Sequence, residues 1–142
     1  MPCDFVFHKQ LGLVVTRFRG RIEDAELLGL YRSLFEAVDF EPWLQEIADA
    51  RFIEQPASAE AVKRSSDLIR ARLEGLGSTY RTTVIAPAEA TYGLSRMYGI
   101  LASSGPHAVS VYRTVEDAAE SLALAADDLE RLLASPRPER GQ

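Results

Sequence analysis

Ser58 is the first residue whose type and place could do chemistry. It follows Pro56-Ala57 and opens the run Ala59-Glu60-Ala61-Val62. A hydroxyl there can accept a hydrogen bond from a backbone N–H of the helix it starts. It can also carry a phosphate, because the free N–H groups and positive dipole end of a helix start favour an anion. Tyr92, Arg96 and Tyr98 form a second group. Tyr92 and Arg96 are four apart, so on a helix a guanidinium can stack on a phenol ring. Tyr and Arg also dominate binding energy at interfaces. The same tyrosines could instead pack a helix onto a sheet. Asp49 and Arg51 lie near the Ser58 turn and could orient a ligand or pair with each other.

Lys63, Arg64, Arg70 and Arg72, with Arg81 after them, could meet an anionic partner or a lipid surface. Asp67 and Glu74 among them suit an ordinary solvated face. His8 and His107 are the only histidines, and neither has a Cys, Asp or Glu at metal-ligand spacing in its own segment. Cys3 is the single cysteine, near a terminus and away from any helix start that would lower its pKa. There is no Gly-x-Ser-x-Gly elbow, P-loop or Gly-x-Gly-x-x-Gly. No residue is therefore assigned a catalytic role, and no metal or cofactor is expected.

The elements that must position these groups follow from composition and pattern. The chain has 142 residues, 46% hydrophobic and 26% charged, with a formal net charge of −5. That is one globular domain, residues 1–134, with a polar, proline-containing tail at 135–142 expected to be disordered. The acidic balance argues against general nucleic-acid binding. No apolar run approaches the ~20 residues of a membrane helix. A single thiol and no signal-like N-terminus suggest the cytoplasm.

Residues 4–8 and 13–19 alternate or are β-branched, which predicts an antiparallel hairpin turned at Gly12. Leu27, Leu28, Tyr31, Leu34, Phe35 and Val38 predict a helix over 21–38, with Asp24 as its N-cap. Propensity alone would tolerate a helix at 44–51, but a helix candidate flanks it on each side, so a strand is expected there, with a loop at 52–57. A helix from Ser58 to about Leu76 should face Val62, Ile69, Leu73 and Leu76 inward and end at Gly77. A strand at 81–86, a helix at 91–102 and a strand at 108–112 follow. A final helix, capped by the box at Thr114 to Asp117, carries Ala118, Leu122, Ala125, Leu129 and Leu132. The order β-β-α-β-α-β-α-β-α predicts an α/β fold with a mixed sheet of about five strands.

That order, with Leu11-Gly12-Leu13-Val14-Val15-Thr16-Arg17-Phe18-Arg19-Gly20, Asp24-Ala25-Glu26-Leu27-Leu28, Ala86-Pro87, Tyr92-Gly93-Leu94-Ser95-Arg96-Met97-Tyr98 and Val111-Tyr112-Arg113, resembles the STAS and SpoIIAA-like group, and within it uncharacterised bacterial STAS/SEC14-like proteins. The resemblance covers about residues 4–124. It implies a SpoIIAA-like fold and places Ser58 about where members carry a serine whose phosphorylation switches partner binding. Here Ala57 and Ala59 flank that serine.

The leading expectation is a non-catalytic regulatory module with an unknown protein partner, forming a homodimer through the hairpin strand or the last helix. The alternative is a small apolar-ligand or lipid-binding domain with a pocket of a few hundred Å³ near Tyr92 and Tyr98. An enzyme of unknown class comes third.

Overall fold

The computed structural model describes residues 2–103 and 105–136. Strands β1 (Cys3–His8) and β2 (Leu13–Arg21) form the expected hairpin. A single 3-10 turn, Lys9–Leu11, joins them and is closed by Gly12 at φ 69°. Only glycine takes that left-handed geometry without strain. Helix α1 (Asp24–Glu36), β3 (Gln45–Gln55), α2 (Ala59–Leu73), β4 (Tyr80–Ile85), α3 (Glu89–Ala102), β5 (His107–Tyr112), α4 (Val115–Ser121) and α5 (Ala126–Leu133) follow.

The strands make one sheet in the order β1-β2-β3-β4-β5. The pair β1–β2 is antiparallel and the other three are parallel. The fold is thus the mixed α/β sheet with an N-terminal hairpin read from the sequence. Its central strands are buried on both faces, because helices cover both. On one face α1, α2 and α3 enclose the larger core, with Val14, Leu34, Ile69, Leu73 and Tyr80 at its centre. On the other, α4 and α5 press Ala118, Leu129 and Leu133 onto Val15, Ile47 and Ile85.

Several local expectations are corrected. Helix α1 begins at Asp24, which is therefore not its cap; Glu23 holds that place, and Glu26 accepts its N–H at 3.0 Å. Val38, expected on the apolar stripe, lies past the helix and is 95% exposed. Strand β3 runs four residues further than expected, to Gln55, replacing the loop drawn at 52–57. Its ladder slips by one residue between Arg17 and Arg19 of β2. This bulge lets the strand continue past its expected end while Ala50 and Ile53 both reach the larger core. Helix α2 ends at Leu73 with Gly75 at φ 81° as the left-handed residue, so Leu76 is exposed rather than inward. The single last helix is in fact two. Ala123 at φ 57° breaks it, at a cost of about 1 kcal/mol for a non-glycine residue. The break lets Leu122 and Leu124 as well as Leu129 and Leu133 pack on the smaller core. Cys3, though near a terminus, is buried in β1. Burial and the nearby Glu26 and Asp4 carboxylates push its thiol up to about 12. Of the expected tail, residues 137–142 lie outside the described residues.

Candidate functional site

The polar centre of the molecule is one that motif reading passed over. Strand β3 points Glu46 into the larger core, where it is 1% exposed. Four hydroxyls donate to its carboxyl group. Thr16 Oγ1 (2.6 Å) and Tyr31 Oη (2.8 Å) reach Oε2; Tyr80 Oη and Thr82 Oγ1 (both 3.1 Å) reach Oε1. These donors come from β2, α1 and β4, so the cluster ties three elements to β3. Burial raises the Glu46 pKa, and the four hydrogen bonds only partly offset it. The neighbouring Tyr31 and Tyr80 phenols are pushed well above their ordinary value, first by burial and then by Glu46, and stay protonated.

The network continues to His107 on β5, which is 3% exposed. His107 Nε2 lies 2.7 Å from Thr82 Oγ1, and Nδ1 lies 3.3 Å from Tyr98 Oη. Thr82 has one hydroxyl proton, directed to Glu46. His107 must then donate from Nε2 and accept the Tyr98 proton at Nδ1. Burial lowers its pKa to about 4, so the ring is neutral near pH 7. A directed chain results: Tyr98 to His107 to Thr82 to Glu46.

Beside this network is a cavity of about 90 Å³. It lies over the carboxyl-terminal halves of β3 and β4, between them and the three helices. Ala48, Ala50, Ile53 and Val84 come from the strands; Leu27, Val62 and Leu94 come from α1, α2 and α3. The rings of Tyr31 and Tyr98 line it, while their hydroxyls turn away to Glu46 and His107. Its polar lining is Ser65, Thr91 and Ser95. Ligands of open α/β sheets commonly sit at this end of the strands.

The residues singled out from the sequence fall in separate places. Tyr98 lies in the buried network and lines the cavity. On the same helix Tyr92 is half-buried against the margin of the larger core and Arg96 is exposed, and neither lines it. The Arg113 guanidinium lies 3.9 Å and that of Arg96 6.0 Å from the Tyr92 ring centre, and Arg113 also pairs with Glu89 at 2.8 Å. Asp49 and Arg51 point to the opposite face of the sheet. Asp49, 3% exposed, accepts from Arg51 Nε (2.9 Å), Nη2 (3.0 Å) and backbone N (3.2 Å), and Arg51 also reaches Glu130 at 2.8 Å. This grip lies at the β3 bulge. Ser58 caps α2 by accepting from Ala61 N at 3.1 Å. Its hydroxyl and its N–H both donate to Asp24 of α1, at 2.7 and 2.9 Å, which lowers the Asp24 pKa.

The basic residues of α2 do not act as one face either. Arg70 donates to Leu101 O at 2.6 Å, and Arg72 lies over the Phe40 ring at 5.8 Å. The signal that could have found the network was period two along β3: Leu44, Glu46, Ala48 and Ala50 share one face, so a glutamate sits in an apolar row.

These features define a three-layer α/β/α domain with a hydroxyl-rich buried carboxyl and an apolar recess. The chain is similar to a solved structure from Shewanella loihica PV-4, described as an uncharacterized protein from the DUF3478 family with a SpoIIAA-like fold. The two share 12% identity over 78% of this chain and 83% of that one, with a TM-score of 0.49. No family model and no curated protein matches the sequence. Among the described residues, no helix is long and apolar enough to cross a membrane.

Proposed function

We propose that this chain is a non-catalytic cytoplasmic binding domain that takes the end of a small apolar molecule into the recess between α1, α2, α3 and the sheet. The recess itself carries the proposal. Protein interiors pack to crystal-like density, with few voids larger than a water molecule. Here a space of about 90 Å³ is lined mainly by Leu, Ile, Val, Ala and two phenol rings. It is smaller than the few hundred Å³ anticipated from the sequence, and Tyr92 is not part of it. About three water volumes of room suits the end of an alkyl chain rather than a whole drug-sized ligand.

Octanol at millimolar concentration is the probe. It should shift the amide resonances of Ala50, Ile53, Val84 and Leu94. Ser95→Leu, which fills the recess from its rim, should weaken binding about tenfold while the circular dichroism spectrum is kept. Unmoved amides in the wild-type protein would remove the proposal.

A second reading, regulation through a protein partner, draws on one observation: the exposed Ser58 joins α2 to Asp24 of α1 beside Pro56 and Ala57, both at the recess. A phosphate there would face a carboxylate already held in its charged form. Ser58→Ala should cost about 1 kcal/mol for the lost cap. Ser58→Glu should cost more, and Asp24→Asn added to it should recover part of the difference. Urea unfolding of the four proteins decides this; no recovery in the double variant would mean that Asp24 does not oppose charge at Ser58.

A further inference from the structure

Independently of the recess, we infer that β1 is a self-association edge, pairing antiparallel with β1 of a second copy to make one continuous ten-stranded sheet. The sheet has two edges, β1 and β5. At the β5 edge α3 touches the strand at Gly99, where a Cβ would lie 3.4 Å from the Val109 carbonyl oxygen, and the groove of about 330 Å³ beside that contact carries the charged Arg96 side chain. The β1 edge has only α1 beside it, across a groove of about 340 Å³ lined by Cys3, Phe5, Glu26, Gly29, Leu30 and Ser33, with Pro2 and Asp4 at its end.

Which backbone groups face outward follows from the hairpin. Arg19 N donates to Pro2 O at 2.8 Å, so Pro2, Asp4, Val6 and His8 bond inward to β2. By alternation the N–H and C=O of Cys3, Phe5 and Phe7 face outward. An open edge is ordinarily guarded by lysine, proline, a bulge or an unpaired charge. Between Pro2 and Lys9, which flank it, strand β1 has no lysine or proline, and its pairing with β2 is unbroken. Its one carboxylate, Asp4, is held by Arg17 Nε and Nη2 at 2.7 and 2.8 Å. In a chain of net charge −5, the strand's own carboxylate is neutralised, and Glu26 of α1 is the remaining acidic group beside the groove.

The strand is also complementary to itself. A twofold axis at Phe5 sets Phe5 opposite its own copy, Cys3 opposite Phe7 and Asp4 opposite Val6, with no like charges facing. The three outward pairs supply about six backbone hydrogen bonds. The half-buried rings of Phe5 and Phe7, edge-on at 5.5 Å, meet their counterparts. Above them, the same axis turns Glu26 toward Ser33 of the other α1, a hydroxyl donor for a carboxylate, and Gly29 leaves open space where the two helices approach.

The test is disulfide trapping of the full chain in a Cys3→Ser background. Opposed residues of a hydrogen-bonded pair stand about 5.5 Å apart at Cα, within disulfide range. Phe5→Cys should therefore cross-link to a covalent dimer under diamide. Val6→Cys, opposite Asp4 and on the other face, should not. Light scattering should give twice the chain mass for the wild type and the single mass for Phe5→Lys. A wild-type monomer at ~100 µM overturns the inference, and so does a dimer in which Phe5→Cys fails to cross-link or Val6→Cys cross-links equally.

Discussion

Glu46→Ala is expected to lower the unfolding free energy by about 4 kcal/mol at pH 7, read from the urea midpoint at constant slope. Two effects combine. The truncation opens a gap in a packed core, and it strands four buried hydroxyls, on Thr16, Tyr31, Tyr80 and Thr82, that now donate to this one carboxyl group. A buried polar group left without a partner costs about 1–3 kcal/mol, and the gap adds its own term. Glu46→Gln keeps the volume and one acceptor oxygen, and hydroxyls can rotate to accept from the new amide. It should cost no more than about 2 kcal/mol. A loss below about 1 kcal/mol for Glu46→Ala would show that the network contributes little.

The glutamine variant carries a pH signature too. A carboxyl whose folded pKa is raised stabilises the fold below its ordinary value near 4.5 and loses that contribution as pH climbs through the folded value. Glu46→Gln should abolish that decline.

The second large effect is at His107 and runs the other way. Its folded pKa, about 4, lies below the ordinary 6.5, so on acidification the unfolded chain takes up the proton first. Neutral His107 contributes its full stability above about pH 6.5 and loses it progressively down to about pH 4. The displacement corresponds to about 3 kcal/mol. Because Glu46 and His107 oppose each other across this range, the wild-type curve alone does not separate them. The comparison with His107→Gln does: the difference in unfolding free energy between the two proteins should shift by about 3 kcal/mol between pH 7 and pH 4. A constant difference would mean that His107 is not held neutral by burial. Long-range proton–nitrogen correlation should show the proton on Nε2, as the Thr82 and Tyr98 contacts require. A proton on Nδ1 would reverse the Tyr98 to Glu46 chain.

Much of the architecture was legible residue by residue, because it depends on local periodicity. Phe5, Phe7 and the β-branched run from Leu13 could only alternate as strands. Gly12 marked the turn, and Ser58 and Thr114 marked helix starts through hydroxyls that do accept from Ala61 N and Asp117 N. The order of those elements, a hairpin followed by βα alternation, predicted the mixed sheet. The errors fell where a distant contact decides the outcome. Asp24 looks like a cap in isolation, but its carboxylate is engaged by Ser58, 34 residues away. The end of β3 depends on its bulge against β2, and the break at Ala123 on what the smaller core needs to cover it.

The candidate site shows the same division more sharply. Sequence by itself determined where the strands and helices lie, apart from their ends, and most of the faces they bury, since local periodicity gives each element one apolar stripe. It could not say that Tyr92 and Tyr98, on one helix, separate into the margin of the core and its buried polar network. Nor could it say that Thr16, Tyr31, Glu46, Tyr80, Thr82 and His107 converge. They come from five elements spread over most of the chain, and only the stacking of β2, β3, β4 and β5 under α1 brings them within hydrogen-bond reach. A buried carboxyl is tolerable only when such partners surround it, and tertiary packing alone supplies them.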